Sequence, residues 1–576
     1  MQDKLLDYLL KKRLITPEEA EGLRKDLAES RRSLRDLLLE RNLVSEERLL
    51  EAFSALSRMP VVRLYEHPVP PEIRKLIPAE VLRNFIIFPF AFDPQDSSTL
   101  YVAVSDPMNA KGRDTAAIVS KCRVRTYLAT ATEILSSIDR YYGVNEIQEA
   151  AELYASTDEN DTTLEDAVIR EDINSSPVVM LVNALVETAV HQRASDIHVE
   201  AHIDRIRVRC RVDGVLNTTA TYDRRLLPAI IARIKILRGL DISERRKPQD
   251  GHFTARVDRR EYDVRVSTMP TFYGEKCVMR LNQKSAFTRG KEALGFSPED
   301  LRQFNRILRS PNGIVLVTGP TGSGKSTTLY AALSELNSEA VNIVTVEDPV
   351  EANIDGVNQV QVNTKAGVSF NSILRSILRQ DPDIIMIGEI RDAETASIAV
   401  QASITGHLVV STLHTNDTAS SVTRLLDMGI ESYLIADSVT GIIAQRLLRR
   451  LCPGCKRSRP PTADEAAYLR LSPEEREGAA VWESTGCQRC GGTGYFHRIG
   501  IYEIMEMTPK LRSMVSRRAT AEELREAALQ NGMRTLRQSA RNLVLGGVTS
   551  LAEMKRITAE DYDSAAEPEK KERNDP

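Results

Sequence analysis

Gly319-Pro320-Thr321-Gly322-Ser323-Gly324-Lys325-Ser326 follows the apolar run Ile314-Val315-Leu316-Val317 and leads into Ser326-Thr327-Thr328-Leu329-Tyr330-Ala331-Ala332-Leu333. The first flank predicts a buried strand and the second a helix, which is the setting a phosphate-binding loop requires. Gly319, Gly322 and Gly324 allow a tight turn in which backbone N–H groups face the phosphates, beside a helix N-terminus that favours anions. Lys325 is placed to reach the β- and γ-phosphates, and the Ser326 hydroxyl to ligate Mg²⁺. The nucleotide-binding candidates are therefore the residues 319–327, Thr327 included, with ATP and Mg²⁺ as the expected ligands.

Working outward, 576 residues suffice for about four domains. A hydrophobic content of 42% and a charged content of 27% are ordinary for a globular chain. The net charge of −4 gives no support to a nucleic-acid binder. No apolar run reaches the length a bilayer demands, and Met1-Gln2-Asp3-Lys4-Leu5 lacks a signal-peptide pattern. A cytoplasmic location with any membrane role peripheral is expected.

The fold class expected is α/β and multidomain. An internal repeat opens the chain: residues 4–19 align with residues 33–48, each copy an amphipathic helix, a turn, a Thr16 or Ser45 N-cap with acids behind it, and a second helix. A small α/β unit follows, completing an N-terminal docking domain at 1–150. Residues 151–176 read as an acidic flexible linker. Residues 177–285 form a second α/β module, opening on a helix and continuing in strands with an arginine-bearing face. The nucleotide domain spans 286–446, a cysteine-bearing insert 447–500, a helical C-terminal region 501–564, and a charged, disordered tail 565–576.

Three more apolar strands end in polar residues downstream of the loop, as a parallel nucleotide-binding sheet needs. Residues 342–346 lead to Glu347 and Glu351, residues 383–388 to Glu389, and residues 407–413 to His414. Glu389 takes the place of the Mg²⁺-associated carboxylate, acting through a metal-bound water. Glu351 is the first candidate for the base that activates water, with Glu347 the other. His407 and His414 flank one strand and are candidates for phosphate sensing, against a structural role. Arg375 and Arg379 share a helical face that is either solvated or neutralises phosphate charge, here or across a subunit boundary.

Cys452-Pro453-Gly454-Cys455 and Cys487-Gln488-Arg489-Cys490 supply four thiolates, enough to close a tetrahedral zinc site of structural type. Cys122, Cys210 and Cys277 are isolated and read as buried thiols. The basic run from Arg446 reads as a solvated surface, or as a docking patch.

Together these segments resemble the ATPases of bacterial type II secretion and type IV pilus assembly along nearly the whole chain. Residues 319–326, 346–351, 379–392 and 405–416 look like that family's Walker A, aspartate, Walker B and histidine boxes. Residues 193–198 and 211–214 resemble its PAS-like module. The resemblance implies a RecA-like core in a homo-hexamer, attached peripherally to the cytoplasmic face of the inner membrane. It implies as partners an inner-membrane platform protein and a cytoplasmic docking protein. It also implies that Arg265, Arg280, Arg375 and Arg379 lie near the nucleotide or the subunit interface. The Cys₄ insert and long N-terminal region look like an extension rather than a retraction ATPase.

The sequence departs from the family in two places. The repeat resembles a paired cyclic di-GMP motif, yet its ligand positions read Lys4, Leu6, Arg13 and Leu27, then Ser33, Arg35, Asn42 and Leu56. The glycines that permit close approach are gone, so a scaffold without cyclic di-GMP is expected. A family glycine is His497 here. Two other functions fit the loop: a DNA-handling ring motor, and a nucleotide-gated scaffold that barely hydrolyses. Acids at 347, 351 and 389 argue against the second.

Overall fold

The computed structural model describes residues 2–12, 14–29, 34–41, 43–67, 69–138, 141–142, 177–258, 260–283, 290–363 and 366–558. The linker expected at 151–176 and the tail expected at 565–576 lie outside them. Two compact units emerge, Met1–Arg259 with Asp263–Leu281, and Arg260–Tyr262 with Asn282–Pro576.

In the first unit, the repeat folds as two helix pairs, Gln2–Lys11 with Pro17–Glu29 and Leu34–Glu40 with Glu46–Ser57. Equivalent positions are buried alike: Leu5 and Leu34, Leu9 and Leu38, Ile15 and Val44, Ala20 and Leu49, Leu23 and Ala52. Thr16 and Ser45 accept backbone N–H bonds from Glu19 and Arg48, as N-caps do. The small sheet β1 (Ile87–Asp93), β2 (Asp96–Val104) and β3 (Arg123–Leu128) shares one apolar core with these helices.

The helix Pro177–His191 then opens a module with six strands: β4 (Ala194–Ala201), β5 (Arg205–Val212), β6 (Val215–Asp223), β7 (Gln249–Val257), β8 (Arg260–Thr271) and β9 (Gly274–Gln283). Their order is β6-β5-β4-β9-β8-β7. Alternation puts Ile197, Val199, Ile206 and Val208 in the core. It puts a charged lattice on the other face: Glu200 pairs with Arg207, Arg209 and Lys276, and Asp196 with Arg211 and Arg280.

In the second unit the strands are β10 (Gly313–Thr318), β11 (Ile343–Glu347), β12 (Asn358–Gln361), β13 (Ile384–Ile387), β14 (Leu408–Leu413), β15 (Val439–Leu451), β16 (Lys456–Arg459), β17 (Val481–Ser484) and β18 (Tyr495–Glu506). Seven of them form one sheet, ordered β12-β11-β13-β14-β10-β15-β18, parallel except for the antiparallel pair β15 and β18. β10, β11, β13 and β14 are buried along their whole length, with an apolar cluster on each face. This is why they read as continuous apolar runs rather than alternating ones.

Two boundaries need correction. β15 crosses the expected end of the nucleotide domain at 446, and β18 crosses the expected end of the insert at 500. The insert is the long connection between two paired strands of the main sheet, so it is built onto that sheet. It holds the hairpin β16–β17, and its residues Ala466, Leu469, Leu471 and Val481 share a core with Leu536, Ala540, Val544, Leu551 and Met554 of the C-terminal helices. Those helices, Pro509–Ser516, Ala521–Gln530, Leu536–Leu545 and Leu551–Ile557, match the helical region expected there. His497 adopts φ +67° within β18, so the left-handed turn is kept without the glycine. No helix among the described residues is long and apolar enough to cross a membrane.

Candidate functional site

The phosphate loop joins β10 to the helix Lys325–Leu336, and Gly319, Gly322 and Gly324 all take positive φ. At Gly319 the reason is also steric: a Cβ would sit 2.6 Å from the Gln445 carbonyl oxygen and from Ser323 Oγ. Gly324 caps the helix with no side-chain bond to its first turn. The first N–H groups of a 12-residue helix therefore point at the loop, together with the field of the helix end. Pro320, Thr321, Gly322 and Ser326 are exposed, whereas Ser323 is buried.

Lys325 Nζ donates to the carbonyls of Gly319 (2.8 Å) and Pro320 (3.3 Å). Burial pulls its ammonium down to about 8; the Glu389 carboxylate opposes that shift and Arg446 adds to it. Glu389 stands just past β13, paired with Arg391 and 3.4 Å from His414 Nε2. The backbone N–H of Thr415, next to His414, donates to Thr318 Oγ1 (3.0 Å) and ties the end of β14 to the end of β10. Lys325, Glu389 and His414 thus collect at the carboxyl edge of the sheet, where ligands of such sheets bind.

The two candidate bases separate. Glu347 is buried at 3% exposure and accepts from Thr345 Oγ1 (2.6 Å), Gln359 Nε2 (3.1 Å) and the Tyr330 hydroxyl. Both oxygens of this carboxylate are thus engaged by the protein inside the core. Glu351 is half-buried; its Oε2 accepts from Asn282 Nδ2 (3.3 Å), and its N–H donates to the Tyr330 hydroxyl (3.1 Å). Tyr330 rises from the loop helix and holds both acids. Burial, then the bond to Glu347, pushes its phenol pKa well above the usual range.

Two of the remaining candidates, His407 and Arg379, lie away from the loop within this chain. His407 precedes β14, where its backbone carbonyl accepts from Gly313 N–H at the start of β10 and its Nδ1 lies 2.8 Å from the Ala402 carbonyl. Six residues of strand, about 20 Å, separate it from the loop. His407 thus stands at the opposite edge of the sheet from the loop, and it is His414 that stands beside Glu389. Arg379 leads into the start of β13, at that same far edge, and folds back onto the Arg375 carbonyl (2.7 Å). Arg375 pairs with Glu394 (2.8 Å). Arg265 and Arg280 belong to the first unit, where Arg265 faces Asp263 (3.4 Å) and Arg280 faces Asp196 (3.1 Å).

The sequence reading missed Tyr330, Asn416, Gln445 and Arg446. Tyr330 carried a faint signal, being a large polar-tipped side chain inside an otherwise small, apolar helix. Arg446 looked like the start of a basic surface run.

The four cysteines of the insert meet. Their sulfurs all lie within 4.8 Å of one another, with Cys452 to Cys487 at 3.7 Å, Cys487 to Cys490 at 3.8 Å and Cys455 to Cys490 at 4.0 Å. Four sulfurs bound to zinc at about 2.3 Å would stand roughly 3.8 Å apart in a tetrahedron, so the donor set fits that ion. Backbone N–H groups of Cys487 and Gly494 donate to Cys490 Sγ, both at 3.1 Å, as thiolate ligands require.

A family model described as type II/IV secretion system protein matches residues 171–556, and a MshEN domain model matches residues 57–147. The type IV pilus assembly ATPase PilB of Myxococcus xanthus is 40% identical over 572 residues, spanning 97% of this chain and 100% of that protein. Type II secretion system protein E of Xanthomonas campestris pv. campestris is 39% identical over 560 residues, spanning 97% and 98%. Among solved structures, the Legionella pneumophila ATPase DotB aligns with a TM-score of 0.49 at 22% identity, covering 66% of this chain and 96% of that chain. With a family match over residues 171–556 and relatives aligned along nearly its whole length, the chain belongs to the type II/IV secretion system protein family and is an ATPase of the kind that powers pilus assembly or protein secretion.

Proposed function

We propose that the chain works as a homo-hexameric ring on the cytoplasmic face of the inner membrane, hydrolysing ATP to drive assembly of a pilin-like filament. The observation that carries this reading is the convergence of Lys325, Glu389 and His414 on the phosphate loop, in a chain that aligns end to end with a pilus assembly ATPase. In this scheme the second unit is a RecA-like core and the six-stranded module is PAS-like. Ser326 and Glu389 would hold Mg²⁺, which would supply neutralisation of the phosphate charge, and Lys325 meets the β- and γ-phosphates. Glu351 takes the proton of the attacking water, while Glu347 and Tyr330 set its loop.

Arg265, Arg280, Arg375 and Arg379 are the candidates for contacts across subunits. The exposure of Arg375 at 67% of its side chain suits such a contact. A zinc held by Cys452, Cys455, Cys487 and Cys490 would be a structural one, with four donors supplied by the protein. A platform protein in the inner membrane and a cytoplasmic docking protein are the partners. The repeat serves docking: Leu6 is buried in the core, and Leu27 and Leu56 pack against it, at positions where a cyclic di-GMP site needs glycine and glutamine. The direct test is genetic. Lys325→Ala at the chromosomal locus abolishes the filament or the secreted product while the level of the chain stays unchanged. Wild-type filament assembly in that strain would refute the reading.

A further inference from the structure

The cations around the phosphate loop include one from a strand outside the four boxes. β15 runs beside β10 with Thr318 opposite Ala444, so Gln445 and Arg446 continue alongside the start of the loop. Gln445 is buried, and its Oε1 accepts from Thr328 Oγ1 on the loop helix (2.8 Å). Its amide nitrogen lies 2.8 Å from where a Cβ at Gly324 would stand. Gln445 is thus the floor of the loop.

Arg446 is the next residue. Its Nη1 donates to the Gln445 carbonyl (3.1 Å) and lies 3.2 Å from where a Cβ at Gly319 would stand. Its Nη2 donates to the backbone oxygen (2.9 Å) and side-chain oxygen (3.1 Å) of Asn416. Asn416 ends the segment His414-Thr415-Asn416 that follows β14. A half-buried guanidinium is therefore fixed between the first glycine of the loop and the histidine segment. Lys325 Nζ donates to the carbonyl of that same Gly319 (2.8 Å), so the two cations flank one end of the loop. Two cations held together beside a phosphate loop repel each other until an anion joins them, and a planar guanidinium matches phosphate oxygens in shape as well as charge.

We propose that Arg446 is a nucleotide-binding residue supplied in cis from β15, which contacts the polyphosphate of Mg–ATP together with Lys325 and links it to Asn416. The proposal rests on the reading of residues 319–326 as the ATP site. It also gives the strand that leads into the Cys₄ insert a direct contact with the nucleotide.

The test is isothermal titration of the full chain with Mg–ATP, comparing wild type with Arg446→Gln and Arg446→Lys. The glutamine variant binds about tenfold or more weakly, and the lysine variant recovers most of that loss. A second readout separates charge from bracing: wild-type affinity falls more steeply with ionic strength than that of Arg446→Gln, because in the variant one cation fewer meets the polyphosphate. Arg446→Met, which keeps the stem of the side chain, gives the same two results if the glutamine variant does not fold. Affinity within about twofold of wild type would overturn the proposal. So would a lysine variant as weak as glutamine with an unchanged salt dependence, which assigns Arg446 to bracing alone. Failure of the wild type to bind Mg–ATP would instead overturn the nucleotide reading.

Discussion

Glu351→Gln yields a chain that binds Mg–ATP with close to wild-type affinity and turns it over about 10²–10⁴-fold more slowly. The substitution keeps the size of the side chain and the bond from Asn282, and it removes the negative charge and with it the ability to take a proton. The loss therefore falls on kcat and leaves KM nearly unchanged, the mark of an interaction made in the transition state. Glu347→Gln behaves otherwise. It replaces a buried carboxylate that accepts from Thr345, Gln359 and Tyr330, so it costs stability on the order of 1–3 kcal/mol. Its turnover falls only as far as the acid loop loosens. Steady-state phosphate release and thermal unfolding, measured on both variants, separate the roles. A kcat loss larger in a stable Glu347→Gln than in Glu351→Gln would reverse the assignment.

The second large effect is expected from the metal. Removing zinc by a strong chelator, or replacing Cys452 or Cys487 with Ser, loosens far more than the two knuckles. The insert is tied to the C-terminal helices by several buried contacts. Arg449 and Arg556 both pair with Glu553, which is 1% exposed, and Arg449 lies 3.9 Å over the Tyr495 ring. Lys456 donates to the Gly547 carbonyl (3.0 Å), and Trp482 packs where a Cβ at Gly547 would stand. All of these hang on strands that enter or leave the knuckles.

A structural zinc contributes about 10 kcal/mol or more to the fold that holds it. Losing even part of that lowers the melting temperature of a unit this size by roughly 10 °C or more. Limited proteolysis then cuts first between residues 452 and 557. The wild type contains one zinc per chain by metal analysis. A zinc-free preparation with unchanged melting temperature would contradict this.

What was legible in the sequence was local. The phosphate loop, its strand and its helix follow from contiguous residues, and the repeat follows from a 29-residue offset that pairs buried Leu5 with Leu34, Leu9 with Leu38, Ile15 with Val44, Ala20 with Leu49 and Leu23 with Ala52. The apolar runs of β11, β13 and β14 were visible because parallel strands covered on both faces cannot alternate. Direction was harder. His407 and His414 flank the same strand and look equivalent as letters, yet a parallel sheet has one active edge and only His414 stands on it.

Burial was harder still. Glu347 and Glu351 sit in one short motif, and only the packing of Tyr330 and Gln359 shows which of them is locked in the core. Pairing across distance was not legible at all. β15 and β18 join over more than 40 intervening residues, from Leu451 to Tyr495, which is why the domain boundaries drawn at 446 and 500 cut through strands. Arg446 was lost for the same reason, since its meaning depends on which strand β15 lies against.

The most direct measurement is Mg²⁺-dependent phosphate release by the purified full chain, wild type beside Lys325→Ala, with folding of both verified by thermal unfolding. The wild type hydrolyses ATP, and the variant falls to background because the loop has lost the cation that meets the β- and γ-phosphates. Equal turnover by the two, or none in a folded wild type, would contradict hydrolysis at this loop.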